Sequence, residues 1–358
     1  MVTMKDIANA AGVSRPTVSQ VLSGQRAGGV QISAVTQKRV LETAIRLGYH
    51  RNELARAVKR GRTNVVAFIG GASTSYDMRI IAGINAGLQE RDFTLKMFIL
   101  GASHSFDDAI RQSPAAVSQS LDDAIRQCRE QMVAGIICRS LQPADLEQLR
   151  QALVPSGIPV MQVDGGFLCD WCGRVMSDDI AGGRMAAEHL LSLGHRRIGL
   201  LAVTGELRYS EPRRQGYRLA LKNAGITPDP DLEVTISDHL ELDEEQRRIL
   251  TGYLRKLRPT AVFCVADPLA MKMLAAANQA GIKVPEELSV VGYADLDYAS
   301  FSIPLLTTIA QPFEEEGRLA AASLVDIINS TEPQIPVDLK LPVKLVVRNS
   351  TAILKTQS

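Results

Sequence analysis

Long apolar runs are missing from this sequence. None reaches the ~18 residues that a membrane-spanning helix needs, which excludes a helical membrane protein. Cysteine is scarce, with five in 358 residues, an odd number thinly spread. That excludes a disulfide scaffold and points to the reducing cytosol. The opening MVTMKDIANAAG carries no long apolar stretch behind a basic start, so no secretory signal is expected. Also absent are the signatures GxSxG, GxxxxGK(S/T), HExxH and GxGxxG, and the Gly70-Gly71 pair is only a turn signal. An enzyme is therefore not expected, and neither a cofactor nor a catalytic metal is required.

What remains is ordinary globular composition, 46% hydrophobic and 22% charged, which excludes disordered and collagen-like chains. At roughly 150 residues per domain, the length fits two or three domains. The net charge of +1 conceals an asymmetry. Residues 1–62 hold eleven Lys and Arg against only Asp6, Glu42 and Glu53, and the remainder is mildly acidic. A small basic head on an acidic body is the footprint of a polyanion-binding domain joined to something else.

Val2 to Leu22 reads as two short helices around a tight turn. Asp6, Ile7, Ala8, Ala10 and Ala11 make a compact first helix, and Gly12-Val13 the turn. Ser14 is a good N-cap, and Pro16 suits the first turn of the second helix, where its missing N–H costs nothing. That helix runs to about Leu22 with Val18, Val21 and Leu22 toward the core. Val35 to Leu47 is a third amphipathic helix, with Val40, Leu41, Ala44, Ile45 and Leu47 as apolar positions and Gly48 as its stop. Three helices with a glycine turn between the first two describe a helix-turn-helix unit. The exposed side of its second helix carries Arg15, Pro16, Thr17, Ser19 and Gln20. Arg and Gln suit base edges in the major groove, whereas Ser and Thr hydroxyls suit phosphates. The plainer alternative is a small helical bundle with a solvated polar face.

Seven stretches resemble the lactose-repressor (LacI/GalR) family of bacterial transcription regulators. They are VTMKDIANAAGVSRPTVSQVLSG, VTQKRVLETAIRLGYHRNELARAVKRGRTNVVAFI, AGGRMAAEHLLSLGHRRIGLL, RRQGYRLAL, VPEELSVVGY, PLLTTIAQPFEEEGRLAA and LVVRNST, spread over nearly the whole chain. The resemblance implies that Arg15, Pro16 and Gln20 read bases and that Thr17 and Ser19 hold phosphates. Pro16 has no side-chain donor, so it offers only apolar contact, for example to a thymine methyl.

Asn52 to Arg62 resembles the family's hinge, a short helix that pairs on the operator and wedges a leucine into the minor groove. Asn52, Ala55, Val58 and Lys59 are its candidate DNA contacts, with Asn52 as cap and Val58 at the wedge position. Two departures stand out. The family usually has Pro where Arg51 stands and Leu where Val58 stands. Valine is shorter and β-branched, so a shallower wedge is expected. The stretch SGQRAGGVQIS is also longer than the family pattern, and Arg26 within it reads as a loop tip.

From Val65 onward short apolar strands alternate with helical stretches. The strands are expected at Val65–Ile69, Leu95–Ile99, Gly135–Cys138, Val160–Val163, Ile198–Val203, Ala261–Val265, Ser289–Gly292 and Leu345–Val347. Helices are expected at Met78–Arg91, Ile180–Leu193, Arg213–Asn223, Glu244–Leu257, Pro268–Gln279 and Phe313–Ile328. Such alternation implies parallel sheets covered by helices, and nearly 300 residues call for two lobes. The expected fold is α/β: an N-terminal three-helix helix-turn-helix DNA-binding head plus hinge helix, then a two-lobed periplasmic-binding-protein-like core of parallel sheets. The head occupies 1–50, the hinge 51–62 and the effector-binding and dimerisation core 63–358. The resemblance implies three crossings between the lobes, placed here near Asp164, Gly292 and Leu324. The N-lobe is then about 63–163 and 293–323, and the C-lobe about 164–292 and 324–350.

Ligands of such sheets sit beyond the carboxyl ends of strands, and the cleft between the lobes is the default pocket. By the resemblance, Arg213 is the strongest effector-facing residue, a guanidinium fork suited to hydroxyls, carboxylates or phosphate. Gln311 and Phe313 match effector-facing positions after the last crossing. Tyr76, Asp164, Phe167 and Trp171 follow strands or lie in adjoining loops. Two alanines depart from the sugar-binding pattern, Ala266 where many members have Asn and Ala294 where many have Asp. They imply a different or less hydroxylated ligand, or a weak pocket. Asp295 is offset by one residue from the missing Asp.

Two further features fall outside that pattern. The hexapeptide DDAIRQ occurs at 107–112 and again at 122–127, which reads as two short helices from a local duplication, most simply surface decoration. Cys169-Asp170-Trp171-Cys172 is a lone CxxC. Zinc would need two more ligands, and His189 and His195 lie in helix and turn positions typical of the family. A redox CxxC usually opens a helix, whereas this one sits in a loop.

The sequence thus describes a bacterial, cytoplasmic transcription regulator, a repressor of a catabolic operon. Its expected partners are double-stranded DNA with a near-palindromic operator, a second copy of itself, and a sugar or sugar derivative in the cleft. The alternative is a degenerate cleft, with control by a partner protein or constitutive DNA binding.

Overall fold

The computed structural model contains two units, Met1–Thr63 and Asn64–Ser358. It describes residues 2–23, 32–49, 61–72, 74–100, 120–165, 167–203, 209–237, 242–331 and 336–355. The expected hinge contacts Asn52, Ala55, Val58 and Lys59, the Arg26 loop and the first DDAIRQ copy lie outside those residues.

In the first unit, helix α1 spans Met4–Ala11. Its N-terminus is a capping box, in which the Thr3 N–H donates to the Asp6 carboxylate at 2.8 Å and the Asp6 N–H to the Thr3 hydroxyl at 3.4 Å. Gly12 ends the helix in the left-handed region at φ 63°. Helix α2, Arg15–Ser23, starts from Ser14, whose hydroxyl accepts the Thr17 N–H at 3.3 Å. Helix α3, Ala34–Arg46, is capped in the same way by Ser33. Ile7, Ala8, Ala11, Val18, Val40 and Ala44 form the shared core.

Leu41 and Ile45, expected in that core, are 46% and 80% exposed. Val40 and Ala44 already fill the face of α3 turned to α1 and α2. Their successors project about 100° further round the helix, off that face.

The second unit contains two six-stranded sheets. The first has strands β1 (Val65–Gly70), β2 (Thr94–Ile99), β3 (Gly135–Cys138), β4 (Val160–Val163), β5 (Gly173–Ser177) and β11 (Asp338–Leu341). Their order is β11-β5-β4-β3-β1-β2, all parallel, with Val66 opposite Leu95 and Gly135. The second has β6 (Ile198–Val203), β7 (Glu233–Ile236), β8 (Ala261–Cys264), β9 (Ser289–Ala294), β10 (Thr307–Ala310) and β12 (Lys344–Val346). Their order is β12-β10-β9-β8-β6-β7, parallel except for β12 against β10.

Helices α4 (Ser75–Gln89), α5 (Leu121–Glu130), α6 (Pro143–Leu153) and α11 (Phe313–Asn329) serve the first sheet. Helices α7 (Asp179–Ser192), α8 (Ser210–Asn223), α9 (Glu244–Leu257) and α10 (Asp267–Ala280) serve the second. Both faces of the first sheet are covered. Val66 and Phe68 pack in the cluster of α4 and α11, and Ala67 and Ile69 in the cluster of α5 and α6. In each lobe one helix pair is drawn together by glycine, α4 with α11 and α7 with α8. A Cβ on Gly83 would overlap the Glu314 carbonyl, and one on Gly183 the Arg213 carbonyl.

The chain passes between the sheets after β5, after β10 and after β11, so the crossings lie at 178, 311–312 and 342–343. They were expected near Asp164, Gly292 and Leu324. The displacement has one origin, since β5, β10 and β11 escape the sequence pattern. β5 and β11 are partly solvated strands, GRVMS and DLKL, and β10 is the Thr-rich TTIA. None reads as the continuous aliphatic run that marks a parallel strand buried on both faces. The N-lobe is therefore 64–177 with 313–341, and the C-lobe 179–310 with 344–355.

Candidate functional site

On the first unit, Arg15, Pro16 and Ser19 are exposed on α2, and Thr17 and Gln20 are half-buried beside them. Val18 between them is fully buried and anchors the helix. The Thr17 hydroxyl lies 2.8 Å from the Ser14 hydroxyl. Three of the five predicted residues thus face solvent, and the other two are partly covered beside them.

In the second unit the strand ends converge as the parallel topology dictates. Arg139 directly follows β3 and is buried. It donates from Nε and Nη2 to Asp164 at 2.9 and 2.6 Å and from Nη1 to Asp77. Asp164, after β4, adopts φ 54°, a left-handed backbone that turns its carboxylate onto the guanidinium. Burial opposes the charge on Arg139, but Asp164, Tyr76 and Asp77 hold its pKa above the ordinary value. Its guanidinium stacks on the Tyr76 ring at 4.9 Å, and that ring meets Phe313 at 5.5 Å.

Arg213, in the first turn of α8, is the C-lobe counterpart. It donates from Nε to Asp179 at 2.8 Å, from Nη1 to the Val265 carbonyl at 2.7 Å and from Nη2 to Gln311 Oε1 at 3.1 Å. The rings of Tyr293 and Tyr209 lie 3.7 and 4.7 Å from its guanidinium carbon. Gln311 donates in turn to Ser177 Oγ at 3.3 Å, and Ser177 donates to Glu316. Arg213, Gln311, Ser177 and Glu316 thus form a chain of hydrogen bonds from the C-lobe through the crossing residue Gln311 to the N-lobe.

Three carboxyls here are pushed up by burial: Asp179, Glu316, and Asp267 to about 6. Asp179 is partly compensated by Arg213, whereas the nearby Asp164 pushes Glu316 up further. Asp267 accepts from the Thr308 hydroxyl at 2.6 Å and the Leu296 N–H at 2.8 Å. Asp295, one residue from the missing Asp, is bound instead to Arg348 at 2.7 Å.

The structure therefore gathers Tyr76, Asp164 and Phe313 around Arg139, and Gln311 around Arg213. Phe167 and Trp171 are placed elsewhere, packed against the α5/α6 cluster. Gln162 folds their loop back, bonding the Phe167 N–H at 3.1 Å and its carbonyl at 2.8 Å. Sequence reasoning missed Arg139, Asp77, Asp179, Ser177 and Glu316. Arg139 was within reach of the strand-end rule, whereas Ser177 ends β5, a strand with no aliphatic run to mark it. The others start helices, and no spacing marked them. Among the described residues no group of His, Cys, Asp and Glu is arranged to hold a metal ion, and no helix is long and apolar enough to cross a membrane. His189 and His195 bond within the C-lobe, whereas Cys169 and Cys172 lie between β4 and β5 of the N-lobe.

Two family models match the chain. Residues 3–52 match bacterial regulatory proteins of the lacI family, and residues 187–351 a periplasmic binding protein-like domain. The HTH-type transcriptional repressor PurR of Pectobacterium carotovorum is 30% identical over 98% of this chain and 97% of its own. Among solved structures, a transcriptional regulator CelR–cellobiose complex aligns with 29% identity and a TM-score of 0.67, over 98% of this chain and all of that one. A lac repressor dimer bound to operator and an anti-inducer shares the fold, with a TM-score of 0.70 and 24% identity over 98% and 99% of the two chains.

Proposed function

The chain belongs to the LacI family of bacterial regulatory proteins and is a DNA-binding transcription regulator, and from that premise we propose that it represses a catabolic operon under the control of a sugar or sugar derivative held between its lobes. The observation that carries the effector half is the hydrogen-bonded chain from Arg213 through Gln311 and Ser177 to Glu316, which joins the two lobes. A ligand that favours one lobe arrangement over the other changes operator affinity by linkage.

Residues 1–50 are the DNA-binding domain and 51–62 the hinge in this reading. Arg15, Pro16 and Gln20 read bases, Thr17 and Ser19 hold phosphates, and Asn52, Ala55, Val58 and Lys59 meet the minor groove. The rest of the chain binds effector and pairs two copies. Exposed apolar side chains on the C-lobe, Phe301 and Ile303 at 69% and 94% exposure, support the pairing. Two heads then meet a near-palindromic operator. The protein works in the cytoplasm and catalyses no reaction.

One observation favours a second reading. Arg139 and Arg213 already spend their donors on carboxylates, a carbonyl and Gln311. A degenerate cleft, with a partner protein in control, would look the same. Thermal unfolding of the full chain against neutral sugars, sugar acids, sugar phosphates and nucleobases separates the two. A ligand at about 100 times its Kd stabilises by about 2.7 kcal/mol, roughly 4 °C for a core of this size. It should also shift operator binding in a mobility assay. A flat panel would favour the partner-controlled reading.

A further inference from the structure

The loop between β4 and β5 places two free thiols around the only tryptophan of the chain. Its organiser is Gln162, a buried amide on β4. Besides its two bonds to the Phe167 backbone, its Nε2 faces both sulfurs, Cys172 Sγ at 3.3 Å and Cys169 Sγ at 3.6 Å. Cys169 is half-buried and donates its S–H to the Phe167 carbonyl at 3.4 Å, while Cys172 is buried. Two sulfurs three residues apart in sequence are thus gathered on one amide nitrogen. No role in the DNA-reading face or the effector cluster uses them.

We infer that Cys169 and Cys172 are a dithiol site for peroxide, which closes to a disulfide. Cys169, the more exposed, attacks one peroxide oxygen and becomes the sulfenic acid as the O–O bond breaks and water leaves. The Cys172 sulfur then attacks the Cys169 sulfur, the S–S bond forms, and the hydroxyl leaves with the thiol proton as a second water. Two thiols are oxidised and one peroxide is reduced to two waters. Burial pushes the Cys172 thiol up, which disfavours it as the group that meets peroxide first. Cys138 also lies near Cys172 but is buried at the end of β3, less open to peroxide than the half-buried Cys169.

The consequence reaches the effector cluster. A disulfide draws the sulfurs to about 2.05 Å and takes the Cys169 S–H from the Phe167 carbonyl. Phe167 is pinned by Gln162, and two residues beyond Gln162 stands Asp164, which holds Arg139.

Hydrogen peroxide treatment of the full chain tests this, with peptide mass mapping and the fluorescence of Trp171 as readouts. The wild type should become two hydrogens lighter, yield a Cys169–Cys172 crosslinked peptide, and lose Trp171 emission to disulfide quenching, all reversed by dithiothreitol. Cys169→Ser should show neither change. Cys172→Ala should stop at the sulfenic acid and capture dimedone on Cys169. Absence of the crosslink under excess peroxide, a crosslink through Cys138 instead, or no dimedone adduct in Cys172→Ala would overturn the inference.

Discussion

Arg213 and Asp179 meet at 2.8 Å with both side chains more than nine-tenths buried. Such a pair is destabilised more by the loss of one member than by the loss of both, because a lone buried carboxylate has nothing to offset its desolvation. Burial already pushes Asp179 up with its partner in place. Arg213→Ala should cost about 3–5 kcal/mol, and adding Asp179→Asn should return part of it. Urea unfolding of the single and double variants measures both. A cost within about 0.5 kcal/mol for the single change would show that the pair contributes nothing. The result also governs effector screening, since a destabilised Arg213→Ala chain loses its response for two different reasons.

Gln20→Ala should relax base preference within each half-site by about 1–3 kcal/mol. The side chain lies next to exposed Ser19 and one position from Val21, which packs on the core of the head. The helix should therefore keep its place when the amide is removed. Selection from a randomised operator library reads the outcome, and an unchanged preference at every position removes Gln20 from readout.

The same contrast between local and distant information explains what the sequence revealed. Helices with caps were legible because their signals are local. Ser14, Gly12 and Gly48 marked the head, and α9 matched its expected span of Glu244–Leu257. Strands buried on both faces, such as Gly135–Cys138 and Ile198–Val203, matched as well. β5, β10 and β11 did not, and with them went all three crossings, because a short strand with solvated or Thr positions has no aliphatic run. At the proposed effector site, Arg213 and Gln311 were legible from family resemblance. Their partners Asp179 and Ser177 were not, since what selects them is a contact across the fold, 34 residues away in the case of Asp179.

Glycine gives a prediction of opposite signs from one substitution. At Gly183 a Cβ would overlap the Arg213 carbonyl, so α7 and α8 must part. Gly183→Ala should cost about 1–3 kcal/mol or more, as overpacking does. Gly252, inside α9, has open space around it and no left-handed φ. Gly252→Ala should instead stabilise by about 0.4–1 kcal/mol through a stiffer unfolded chain and better helix propensity. Thermal unfolding of the two variants side by side decides, and equal effects would contradict the helix packing described.

Asp267 makes stability depend on pH with a definite sign. Burial raises its pKa from 3.8 to about 6, against the opposing bonds from Thr308 and Leu296. The folded chain therefore holds this proton more tightly than the unfolded chain does. Its contribution is fully present below the unfolded pKa and is lost as pH rises through about 6. Asp179 and Glu316, also pushed up by burial, act in the same direction. Asp267→Asn removes the titration and keeps the shape, so the variant should gain on the wild type between about pH 5 and about pH 7. Thermal midpoints of both chains across that range measure the difference. A gap that stays constant with pH would mean that Asp267 titrates as it does in the unfolded chain, and that Thr308 and Leu296 hold it charged throughout.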